Sequence, residues 1–137
     1  MILADTHVLI WAVNNDPRLG TAARGTIDAE AARGALCVSA ITPWEIALLA
    51  HRGRLALGRE VGVWIEAALA LPGIVLAPIE PMIAVESIQL PGSLRGDPAD
   101  RFIIATARRH GWPLITADAT ILSYGAAGHV EVIDAAK

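Results

Sequence analysis

Cysteine occurs once in this chain, at position 37, and phenylalanine and tyrosine once each. A single cysteine excludes an internal disulfide and a cysteine-rich zinc site. Lysine is as scarce, since ten of the eleven basic residues are Arg. Charged residues make up only 18% of the chain and the net charge is −3, so there is no general basic footprint for nucleic acid. No apolar stretch runs unbroken for the ~20 residues a membrane helix needs. The segment from Val63 to Ile79 comes nearest, and Glu66 and Pro72 break it. The N-terminus lacks the basic segment of a secretory leader, and Asp5 and His7 interrupt its apolar run. A Gly-rich phosphate loop is missing too. The turn Ala4-Asp5-Thr6-His7 contains no glycine, which argues against a dinucleotide or nucleoside-triphosphate site. The expectation is a soluble, cytoplasmic protein with no membrane segment.

What the chain has in excess is apolar surface. At 137 residues and 54% apolar, it is long enough for one domain with a well-filled interior. The surplus also leaves room for an apolar patch that meets a partner. Short apolar runs alternate with Ala-rich amphipathic segments, the pattern of βα units around a parallel sheet. Strands are expected at residues 2–5, 35–39, 74–79, 114–117 and 130–133. Helices are expected at 6–13, 20–33, 42–52, 59–71, 81–88 and 97–110, with a short one over 119–123. Gly34, Gly53 and Gly111 are fitting helix stops. The architecture predicted is α/β, with about five parallel strands and helices on both faces.

Four carboxylates stand in equivalent places in this pattern. Asp5 closes the first strand and Asp118 the fourth, while Glu45 and Asp100 fall in the first turns of helices reading Thr42-Pro43-Trp44-Glu45 and Asp97-Pro98-Ala99-Asp100. In an open α/β sheet, strand ends and the starts of following helices share one edge, where ligands bind. Each acid also has a purely structural explanation. Thr42-x-x-Glu45 matches a capping box with Pro43 at the first helical position. Asp97 suits an N-cap, Asp100 complements the helix dipole, and Asp118 can cap the short helix after it. Taken together, four acids on one edge make a site for a divalent cation acting on a phosphate ester. Mg²⁺ and Mn²⁺ prefer carboxylate oxygen and water, and helix N-termini help hold such acids ionised. Either Asp97 or Asp100 can be the ligand. Asp97 is read as the cap and Asp100 as the inward group, because Asp100, Ile103 or Ile104, and Ala107 share a helix face.

These blocks carry a resemblance. Leu3-Ala4-Asp5-Thr6-His7, Thr42-Pro43-Trp44-Glu45-Ile46, Asp97 to Ala107 and Leu114-Ile115-Thr116-Ala117-Asp118 resemble, in order, the conserved blocks of PIN domains. They are similar in particular to the VapC-like toxins of bacterial type II toxin–antitoxin pairs, and they span nearly the whole chain. The resemblance implies a PIN-like domain over residues 1–137 and a Mg²⁺- or Mn²⁺-dependent endoribonuclease that leaves a 5′-phosphate and a 3′-hydroxyl. It implies a homodimer acting on RNA and inhibited by a small VapB-like antitoxin. By position, Asp5, Glu45, Asp100 and Asp118 would form the acidic site. Thr6 and Thr116 would steady it, and Arg101 would pair with a site acid or face phosphate.

Other residues carry less. His7 is placed either at the metal edge or in solvent, and His51, His110 and His129 have no metal-ligand spacing. Arg52 with Arg54 and Arg108 with Arg109 either solvate helix surfaces or form a local basic rim. Trp11, Trp44, Trp64 and Trp112 must supply most of the aromatic packing, in the core or at a dimer interface, with Trp44 the best placed to stack a base. Two rival functions stand beside the nuclease. A phosphatase of the Asp-x-Asp kind needs an acid where this chain has His7. A non-catalytic binding module would keep the fold but bind no metal.

Overall fold

The computed structural model describes residues 1–137. Its elements run β1 (Ile2–Ala4), α1 (Thr6–Val13), α2 (Thr21–Ala32), β2 (Leu36–Ser39), α3 (Thr42–His51), α4 (Val61–Leu69), β3 (Ile74–Ala77), α5 (Pro81–Ile88), α6 (Pro98–His110), β4 (Leu114–Thr116), α7 (Ala119–Ala126) and β5 (Val132–Asp134). The strands form one parallel sheet in the order β3-β2-β1-β4-β5. β1, β2 and β4 are buried throughout, whereas edge strand β3 exposes Val75 and Leu76. That difference explains why the inner strands read as continuous apolar runs.

Alternation along the strands divides the core into two faces. Ile2, Ala4, Leu36 and Ile115 pack against Val8 of α1 and Ala23 and Ile27 of α2. Val38 meets Leu9, Ile46, Trp64 and Ala68 of α1, α3 and α4. Leu3, Cys37 and Leu114 point the other way, onto Ile103, Ile104 and Ala107 of α6 and Ile121 and Tyr124 of α7. Helices therefore cover both faces, as predicted. Cys37 is buried there, and burial pushes its thiol pKa up, the state of an inert thiol.

Element boundaries moved where local chemistry intervened. β3 stops at Ala77 because Pro78 has no N–H for the ladder. α4 starts at Val61, since the Glu60 carboxylate accepts from the Gly62 and Val63 N–H groups. β5 begins only where Val132 pairs with Leu114. Helix α6 ends at Gly111 in the left-handed region (φ 67°), where a Cβ would be strained.

Candidate active site

The sheet order places the acids. Connections from β1 run outward through β2 to β3 on one side, and β4 with β5 fill the other, so the order reverses between β1 and β4. A crevice opens beyond the carboxyl ends of strands at such a reversal. Asp5 follows β1 and Asp118 follows β4. The N-termini of α3 and α6 bring Glu45, Asp97 and Asp100 to the same edge.

Asp5 is only 5% exposed and is held at both oxygens. Its Oδ1 accepts from the Thr6 N–H at 2.8 Å, and its Oδ2 accepts from the Thr116 hydroxyl at 2.6 Å. Thr116 Oγ1 in turn accepts from the Asp118 N–H at 3.0 Å. One hydroxyl thus orients Asp5 and fixes the backbone at Asp118. The Asp118 carboxylate accepts from the Ile121 N–H and caps α7, as predicted, on an exposed rim. Asp97 caps α6 by accepting from the Asp100 N–H at 3.0 Å.

Capping does not remove Asp97 from the cluster. Glu45, Asp97 and Asp100 offer oxygens within 4.8 Å of one another. Glu45 is buried, and its Oε1 has no hydrogen-bond partner. Such an orphaned oxygen is costly unless something else satisfies it. Burial, with the repulsion of Asp97, Asp5, Asp118 and Glu45, pushes the Asp100 carboxyl up to about 8. Burial pushes Glu45 up to about 7 against the opposing Thr6 hydroxyl, and the nearby Asp5, Asp97 and Asp118 add to the rise. Asp5 is raised by burial despite the bonds from Thr116 and the Thr6 N–H. The expectation that helix N-termini would keep these acids ionised is therefore corrected for Asp5, Glu45 and Asp100. Desolvation and mutual repulsion outweigh the dipole. All-oxygen donors of like charge, two of them poorly ionised alone, fit a hard divalent cation.

One further expectation is overturned and another is narrowed. Thr42 does not cap α3: the cap position falls on Ile41 and makes no side-chain bond. The Thr42 hydroxyl instead pairs with the Thr6 hydroxyl at 3.0 Å, both fully buried beneath the acids. The Thr-x-x-Glu spacing predicts local capping and so hides this longer-range pairing. Arg101 pairs with no site acid. Its guanidinium donates to the carbonyls of Ser87 and Leu94, tying the end of α5 to the loop before α6. His7 lies exposed beside Asp5, and Trp44 is 48% exposed beside Glu45, while Trp64 is core.

A parallel α/β sheet with acids gathered at its switch point defines the class of compact, metal-site α/β domains to which PIN domains belong. The PIN domain family model matches residues 2–126, and the chain belongs to that family. It is 37% identical over 123 residues to Ribonuclease VapC22 of Mycobacterium tuberculosis, covering 90% of this chain and 91% of that one. Among solved structures it is similar to FitAcB from Neisseria gonorrhoeae, with TM-score 0.66, 25% identity and coverage of 98% and 97% of the two chains. It also matches VapBC2 from Rickettsia felis bound to a promoter DNA fragment, with TM-score 0.69, 13% identity and coverage of 97% and 98%; this second likeness shows the fold alone.

Proposed function

We propose that the protein is a metal-dependent endoribonuclease, the toxin of a type II toxin–antitoxin pair, which hydrolyses RNA phosphodiester bonds with water. The observation that carries this reading is the gathering of Glu45, Asp97 and Asp100, with the charges of Asp5 and Asp118 nearby, about a buried Glu45 oxygen that lacks a partner. Relatedness to a ribonuclease of similar length supports it. Asp5, Glu45, Asp100 and Asp118 form the site, and Asp97 joins Glu45 and Asp100 in holding Mg²⁺ or Mn²⁺.

When bound, the cation would neutralise the cluster and polarise a phosphoryl oxygen. The chain's own groups do the rest. Thr116 and the Thr6 N–H hold Asp5 in one orientation. Thr6 and Thr42 supply a rigid polar floor. Glu45 would hold the cation or help deprotonate the attacking water, and the cation's charge would draw its carboxyl to the ionised form that either role needs. Asp118 stands on the exposed rim of the site.

The partner is a VapB-like antitoxin, and the working form is a cytoplasmic homodimer. No helix is long and apolar enough to cross a membrane. For the dimer, α5 exposes Met82, Val85 and Ile88 in one row, next in sequence to edge strand β3 with Val75 and Leu76. A second copy of the chain is the occupant this apolar surface fits.

The test is incubation of purified, partner-free protein with total bacterial RNA, with Mg²⁺ or Mn²⁺ and with EDTA, beside Asp5→Asn. Discrete fragments should appear only with metal and only in the wild type. Intact RNA in every lane, from folded protein whose melting temperature ignores Mn²⁺, would leave the non-catalytic binding module in its place.

A further inference from the structure

Away from the acids, the surface of α6 and α7 carries a groove that catalysis does not use. Three concavities of about 540, 490 and 350 Å³ adjoin there. The first runs between the 93–95 loop and α7, from Thr120 and Arg95 to His129. His129 also lines the second, and Arg108 lines both the second and the third. α7 starts one residue after Asp118, so the groove opens at the catalytic edge. α6 starts at that edge as well, and its helical rise carries Arg108 and Arg109 about 15 Å away.

The groove is built rather than incidental. The Tyr124 hydroxyl donates to the Pro91 carbonyl. The His129 ring lies against Gly92, where a Cβ would come within 2.6 Å of Nε2, and stands 4.6 Å from the Tyr124 ring. Arg101 grips the loop at Leu94. The loop is thus pinned along both helices.

Its chemistry is that of a polyanion site. Arg95, Arg101, Arg108 and Arg109 gather here against Glu86 and Glu131, in a chain whose net charge is −3. Arg95 is exposed and makes no ion pair. Arg109 shares only an exposed pair with Glu86 at 3.2 Å, an interaction worth little in water. Beside Arg109, His110 stacks on Trp112 with ring centroids 4.1 Å apart and planes at 15°. Trp112 lines the second concavity, so the stack stands at the groove's wall with His110 exposed. Guanidinium groups beside an aromatic stack are the elements of single-strand binding.

We infer that this groove is a substrate track. It would hold the phosphates of single-stranded RNA at Arg95, Arg108 and Arg109, seat a base on His110, and lead the strand to the acids. The inference rests on the nuclease reading and adds to it where the rest of the substrate lies. A protein partner is the competing occupant. The exposed guanidinium groups of Arg95, Arg108 and Arg109 along the groove favour a polyanion.

The probe is a labelled single-stranded oligoribonucleotide titrated in EDTA, so that binding is read without cleavage, by fluorescence anisotropy across a salt series. Arg95→Ala with Arg108→Ala should weaken binding about tenfold and flatten the log K against log salt slope by about 0.7 for each phosphate left without its guanidinium. His110→Ala should weaken binding with the slope unmoved. Unchanged affinity and slope in a double variant that melts like the wild type would overturn the track, even if the wild type cleaves RNA with Mn²⁺. A double variant that keeps RNA affinity but loses the antitoxin would overturn it too, giving the surface to protein. Loss of RNA binding in the variants, with no metal-dependent cleavage by the wild type, would keep the groove as an RNA site but overturn it as a substrate track, along with the nuclease.

Discussion

The Thr116 hydroxyl donates to Asp5 Oδ2 at 2.6 Å across 111 positions of sequence, and both residues are buried. This bond joins the ends of the two strands that flank the switch point. It also commits one of the two oxygens of Asp5 to orientation, so the residue's direction is settled before any substrate arrives.

Thr116→Val keeps the shape and removes the donor. Activity on RNA should fall about 10- to 100-fold, the range for groups that orient metal ligands. The melting temperature should change little by comparison, and Thr116→Ser should restore most of the activity. Full activity in the valine variant would show that Asp5 needs no such support.

Asp97→Asn separates the two roles of Asp97. Asparagine caps helices as well as aspartate does, so α6 should remain stable, whereas an alanine cap would cost about 1 kcal/mol. Cation binding should weaken, measured by titration calorimetry with Mn²⁺. If Mn²⁺ affinity is untouched while Asp100→Asn abolishes it, Asp97 is a cap and nothing more.

Without metal, stability should fall as pH rises. The folded chain holds Glu45 at about 7 and Asp100 at about 8, against ordinary values of 4.5 and 3.8. The folded state therefore binds protons that the unfolded chain has released, and stability is lost between about pH 4 and pH 8. In EDTA the melting temperature should be higher at pH 5.5 than at pH 8.5. Saturating Mn²⁺ should reverse the order, because a cation prefers the ionised acids. A flat profile in EDTA would mean that neither burial nor repulsion raises these acids in solution.

Ile88 is 78% exposed, the most of any large apolar residue in the chain. Replacing Ile88 and Val85 with Glu should turn a sedimenting dimer into a monomer that melts close to the wild type under dilute conditions. A variant that sediments as the dimer would place the interface elsewhere.

Short-range physics made most of the elements legible. Apolar alternation, Gly111 as a stop and Asp97 and Asp118 as caps depend on neighbours within a few residues, and each prediction held. The parallel α/β class followed from the order of runs along the chain. The four acids were visible as a set because each occupies the same local position in its βα unit. Thr42, Arg101 and the triad of Glu45, Asp97 and Asp100 were not legible. A hydroxyl or guanidinium takes the best partner within reach, and reach is set by elements distant in sequence.

By itself, then, the sequence determined the elements, their α/β alternation and the donor types, because propensity, capping and side-chain chemistry are local. Only the tertiary structure decided the strand order that sets Asp5 beside Asp118, the burial that raises Glu45 and Asp100, and the groove that links Arg95 to Arg108. Those depend on packing between segments far apart along the chain, where desolvation and repulsion take values that no single segment carries.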